Sequence, residues 1–173
     1  MNSLSFFRLT QFFVIGLTLA VLPLAPVNFI PRTFPSPDFL FCFIVAWHLR
    51  DPQSSPLPFI LFLTLLVDIV QFRPIGLWPI FMILLSNLIT INRRLFFNGY
   101  FVKELLFFST IFFCSLMFEL FFLTITFSPN NGFGVAAQRV IITSFAYPVV
   151  VLILYFLLRL RYKTSRFFFS ESL

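Results

Sequence analysis

Six apolar runs, separated by short stretches rich in proline, glycine and charge, constrain what this chain can become. They fall at residues 9–30, 34–49, 57–72, 75–91, 105–127 and 138–158. As a helix, a run of about 20 apolar residues matches the hydrocarbon core of a bilayer, where helices and closed barrels alone satisfy every backbone group. Composition agrees, since 60% of the 173 residues are hydrophobic and 10% charged, against roughly a quarter charged in soluble domains. The sequence predicts an all-α integral membrane protein, a six-span helical bundle in which the whole chain is a single transmembrane domain.

The breaks between runs carry the local signals. The first run follows Arg8 and has the look of a signal sequence, but no small-residue cleavage site follows, so it reads as a retained span. Pro23, Pro26, Pro31, Pro35 and Pro37 predict an irregular external loop. The core of the second run, 39–49, is short for a crossing, and Asp38 is placed to cap its N-terminus. Trp47 and His48 at its other end fit an interfacial belt. Residues 50–58 read as a polar turn, with Ser55 and Pro56 as cap and first turn of the third span. Pro79 falls in the first turn of the fourth span, and Ser86 and Asn87 deeper in it suit helix-to-helix links. Residues 92–104 form a second polar loop, 128–132 a turn, and Pro148 a kink in the last span.

Charge inside the apolar runs is the main functional signal. Asp68 lies about four residues from the end of the third span, roughly 6 Å below its terminus. An acidic group there is disfavoured by several kcal/mol and is expected to face a protein interior. Pro74 and Gly76 just beyond it predict a helical hairpin. Glu119 falls in the same leaflet under an antiparallel arrangement. Asp68, Glu119, Arg73 and Arg139 therefore predict a polar cluster in the outer half of the bundle, with Arg139 preferred over Arg73 as the base for Asp68 because Arg73 is five residues on.

Other chemistry is sparse. The thirty Phe residues read as lipid-facing bulk, and Cys42 and Cys114 as small apolar residues. The lone His48 has no second ligand at i+3 or i+4. With no phosphate cradle, no cation-holding acidic pair and no basic stripe with interleaved aromatics, the sequence predicts no enzyme, no cofactor, no metal and no nucleic-acid partner. Alternate assignment of loops puts nine basic residues on one face and three on the other, so both termini are expected in the cytoplasm. The loop with Arg93 and Arg94, and the basic tail, then face anionic lipid.

The order Pro37-Asp38-Phe39-Leu40, Trp47, Leu66-Val67-Asp68, Pro74-Ile75-Gly76-Leu77 and Arg93-Arg94 resembles the rod shape-determining protein MreD family, from about residue 37 to the basic tail. It departs after Asp68, where many members carry small residues and this chain has Gln71-Phe72-Arg73. The resemblance implies a non-enzymatic scaffold of the bacterial inner membrane, acting with MreC and, through it, with MreB, RodA and a class B penicillin-binding protein in lateral peptidoglycan synthesis. It also implies a six-span fold similar to the substrate-binding components of energy-coupling-factor transporters. That similarity supplies the alternative, a vitamin-type uptake subunit, which would need a polar, ligand-sized cavity.

The basic asymmetry generates the first prediction. Cysteines introduced at Ser54 and Asn98 should be shielded from an impermeant thiol reagent in intact cells, and cysteines at Ser36 and Asn131 should react. Labelling at both Ser54 and Ser36 would mean that the second run does not cross.

Overall fold

A helix that is apolar on every face is stable only when surrounded, and residues 39–49 are such a segment. In the computed structural model, which describes residues 3–22, 35–71, 75–92, 101–125 and 132–158, this segment is the axis of the molecule. Helix α2, Phe39–Arg50, has every residue from Leu40 to Arg50 buried. Its 12 residues reach roughly 18 Å at the usual rise, well short of the ~30 Å hydrocarbon core.

All regular structure among the described residues is helical. Around α2 lie α1 (Ser3–Val21), α4 (Leu77–Asn92) and α6 (Gly132–Leu158), with α3 (Leu57–Val70) against α1 and α4, and α5 (Phe101–Ile125) against α6 and α4. A single 3-10 turn, Pro52–Ser54, links α2 to α3. Two helices are long and apolar enough to cross a membrane, α5 and the first 25 residues of α6; the other four are shorter apolar helices. The expected bundle is therefore helical throughout its described part, with two helices of spanning length.

The contacts fix how the helices alternate. Arg8 near the start of α1 meets Asp51 at the end of α2. Arg50 at that same end meets Glu104 at the start of α5, and His48 meets Thr90 near the end of α4. At the opposite end, Asp38 before α2 meets Arg139 early in α6, and Asp68 late in α3 meets Gly76 just before α4. Successive helices thus run up and down between two polar ends.

Several boundaries move from their sequence-based positions. α1 covers 3–21 rather than 9–30. α5 begins at Phe101 and α6 at Gly132, so Lys103 and Glu104 belong to a helix and not to a loop. Glu104 in the first turn of α5 complements the helix dipole there, which favours the earlier start. Asp38 is the N-cap of α2, accepting from the Phe41 amide at 3.4 Å. Pro79 stands in the first turn of α4, Pro148 stands inside α6, and Gly76 has φ +95°, a value that side chains rarely tolerate.

Three expectations are corrected. Trp47 is not an interfacial anchor: it is fully buried and packs on Phe12 and Phe43 at ring distances of 5.5 and 5.4 Å. Its ring is enclosed by neighbouring helices rather than presented outward. Ser55 does not cap α3, whose N-cap is Pro56 without a side-chain bond; its hydroxyl pairs instead with His48 at 2.9 Å. The phenylalanines divide into two sets. Phe12, Phe41, Phe43, Phe108 and Phe112 build the core, whereas Phe121, Phe145 and Phe156 face outward. Phe41 packs on Phe112 at 4.9 Å, Phe108 stacks on Tyr147 at 4.0 Å, and Trp78 meets Phe41 edge-on at 5.5 Å. Such pairs add about 0.5–1.5 kcal/mol each beyond area burial. Ser54 is also buried, so Gln53, exposed in the same turn, is the better position for thiol labelling.

α1 and α3 approach closely at Gly16, where an added Cβ would stand 2.5 Å from Leu63 Cδ1, itself completely buried. Gly134 has open space around it. Gly16→Leu should lower the stability of the purified protein by about 1–3 kcal/mol through overpacking, and Gly134→Leu should leave it unchanged or raise it. Equal effects in thermal unfolding in detergent would reject the close α1–α3 contact.

Candidate functional site

Two polar ends flank the aromatic core. At the first, the residues singled out in the sequence separate into partners other than those expected. Arg139 Nη2 donates to Asp38 Oδ2 at 3.2 Å, and the Asp38 amide donates to Thr143 Oγ1 at 3.3 Å. Asp38 therefore ties α2 to α6 while capping its own helix. Asp68, completely buried, is not paired with Arg139. Its Oδ2 accepts from the Gly76 amide at 3.0 Å, and the Gly76 carbonyl in turn accepts from Ile80 at 3.2 Å. A carboxylate at the N-terminus of α4 satisfies an otherwise orphan donor and complements the helix dipole. The preference for Arg139 failed because Asp38, whose position before α2 faces the start of α6, reaches that arginine instead.

Glu119 is buried in α5 and lines a cleft with Arg139 between α5 and α6, about 60 Å³ in volume. Arg139 also lines a second cleft of about 30 Å³ with Asp38 and Gln71. A third, about 10 Å³, lies among Asp38, Thr64, Trp78 and Met82. Arg73, Pro74, Arg93 and Arg94 lie outside the described residues. Of the outer cluster as expected, the structure brings Glu119 and Arg139 to one cleft, and Asp38 takes the place given to Asp68.

The richer polar assembly is at the other end and was not singled out in the sequence. Arg50 donates to Glu104 with Nη2–Oε1 at 3.0 Å and to the Ala46 carbonyl at 2.8 Å. Tyr147 from α6 donates to Glu104 Oε1 at 2.5 Å. Arg8 pairs with Asp51 at 2.9 Å, and Ser54 donates to the same carboxylate oxygen at 2.9 Å. The His48 ring lies between Ser55 Oγ at 2.9 Å and Thr90 Oγ1 at 3.4 Å. One end of α2 is thereby joined to α1, α4, α5 and α6. Arg50 is 5% exposed and Glu104 4%, so this pair is shielded from water and from the salt that screens exposed pairs.

These groups are positioned to hold helices together. Among the described residues, Arg8, Arg50 and Arg139 are each matched by a carboxylate, and Asp38, Asp51, Asp68 and Glu104 accept from guanidinium, hydroxyl or amide donors. Among the described residues no group of three His, Cys, Asp or Glu could hold a metal ion. The signal for this cluster lies in the chain: it has six acidic residues, and Asp51 and Glu104 border apolar runs, where a charge can face water or turn inward. Comparison of the chain with protein-family models, with curated proteins and with solved structures returned no match.

Breaking the buried pair from one side leaves an uncompensated charge, which costs about 3–5 kcal/mol. Arg50→Ala and Glu104→Ala should each destabilise strongly, and the double variant by much less than the sum, with a coupling energy of about 1–3 kcal/mol. Additive losses in denaturant titrations would show that the pair does not act as a unit.

Proposed function

We propose that the chain is a multi-pass scaffold of the bacterial inner membrane, with both termini cytoplasmic, related to the MreD family and acting with MreC to position lateral peptidoglycan synthesis. MreB, RodA and a class B penicillin-binding protein follow as indirect partners. The observation that carries this reading is the use made of the motif residues themselves. Asp38 caps α2 and ties it to Arg139, and Asp68 closes the hairpin on Gly76. Motif residues that fold two helix junctions favour a rigid binding surface over a reaction.

Among the described residues, the size of the clefts at this end favours the scaffold over vitamin uptake. Small-molecule sites occupy about 300–1,000 Å³, and the clefts beside Arg139 hold about 60 and 30 Å³. Partner contact is then left to the outward faces of the helices and to the loops at each interface. Beside the Asp68 hairpin, Ile75 is 73% exposed and Ile80 58%, whereas Asp68 and Trp78 are buried and unsuited to direct contact.

A photoreactive residue at Ile75 should therefore crosslink MreC in cells, and depletion of the protein should round rod-shaped cells without loss of small-molecule uptake. Normal shape on depletion together with a vitamin requirement would replace the scaffold reading by the transporter one.

A further inference from the structure

We propose that the outward face of α4 pairs with the same face of a second copy of this chain, with Asn87 of each copy hydrogen-bonded to Asn87 of the other. The inference rests on the membrane-spanning reading above and is independent of MreC. On the inner side of α4, Met82, Leu85 and Ile89 are buried against the bundle. On the outer side Ile80, Ile83, Leu84, Leu88 and Ile91 are exposed, and Asn87 is exposed among them. From Ile80 onward these positions recur at i, i+3, i+4, i+7, i+8 and i+11, the spacing of one continuous helix face.

Asn87 separates this face from ordinary lipid-facing surface. It lies about five residues, roughly 7 Å along the axis, before the end of α4. Its carboxamide makes no hydrogen bond among the described residues, whereas Thr90, one turn on, donates to the Ser86 carbonyl at 2.8 Å. Hydrocarbon offers an amide neither donor nor acceptor, and the side chain lacks the long stem with which Lys or Arg snorkels to water. A carboxamide carries both a carbonyl acceptor and an NH2 donor. A two-fold axis along the bilayer normal sets each residue opposite its own copy, so two Asn87 side chains satisfy each other reciprocally. No charged residue falls on the stripe, so pairing like with like meets no repulsion. One polar position among Ile and Leu is also the device that fixes register and the two-stranded state in helix pairs.

The test is oxidative crosslinking of single cysteines in native membranes. Cys114 is exposed and is replaced by Ser, and Cys42 is buried and stays. Leu84→Cys and Ile91→Cys should each give a disulfide-linked dimer, and Phe145→Cys, exposed on α6, should not. In native mass spectrometry of the purified protein, Asn87→Leu should weaken the dimer about tenfold, the factor for one to two interhelical hydrogen bonds, and Asn87→Gln should retain it. Equal crosslinking at all three cysteines, no dimer band at either α4 position, or a dimer indifferent to Asn87→Leu would overturn the proposal. Where Asn87→Leu does not fold, the crosslinking pattern on chains that keep Asn87 decides the matter. Release of the unaltered chain from membranes at alkaline pH would reject the spanning reading and the proposal with it, whereas a membrane-retained chain without α4 crosslinks rejects the proposal alone.

Discussion

The structure depends on the burial of α2. A short helix enclosed on every side brings the groups at its two ends into the protein interior, where they find no bulk water. Its C-terminus places His48, Arg50 and Asp51 there, and Asp38 at its N-terminus is partly enclosed, with its side chain 10% exposed. An ionised group so enclosed must be paired and hydrogen-bonded or it is strongly disfavoured. The neighbouring helices supply the partners: Arg139 and Thr143 from α6 at one end, Arg8 from α1, Thr90 from α4 and Glu104 from α5 at the other. In a bilayer, where lipid chains are as apolar as leucine, such polar links add directional hold that apolar contact does not provide.

Between the ends, aromatic rings transmit the position of α2 to the rest of the bundle. Phe43 and Trp47 face Phe12 of α1, and Phe41 faces Trp78 of α4 and Phe112 of α5. Rings of this size leave few alternative packings, so the outer helices are registered against one central element. Arg139 then occupies a particular place. It is fixed by Asp38 to the central helix and lines a cleft between α5 and α6.

Much of this was legible in the chain because it followed from local rules. The helical class came from long apolar runs, the Asp38 cap from a carboxylate after Pro37, and the hairpin from Gly76. The buried state of Asp68 came from the cost of a charge in an apolar run. Each depends on residues close in sequence or on a comparison with one solvent.

What the tertiary structure alone decided is which helix is central and which charges meet. The short second run gave no sign, taken by itself, that it is the enclosed one, because an apolar helix has the same composition whether lipid or protein surrounds it. That ambiguity misplaced Trp47 at an interface and treated the phenylalanines as one set. It also places Glu104 in a loop and leaves open that Asp51, in the turn after α2, is buried, since a charge at the edge of an apolar run can face water or turn inward. Pairing is a long-range choice: Asp38 and Asp68 were both plausible partners for Arg139, and the packing of α2 against α6 selected Asp38. Sequence determined the solvent that the helices suit and the caps that begin them, whereas the partners across 42 to 105 residues of chain were set by three-dimensional proximity, which no local rule encodes.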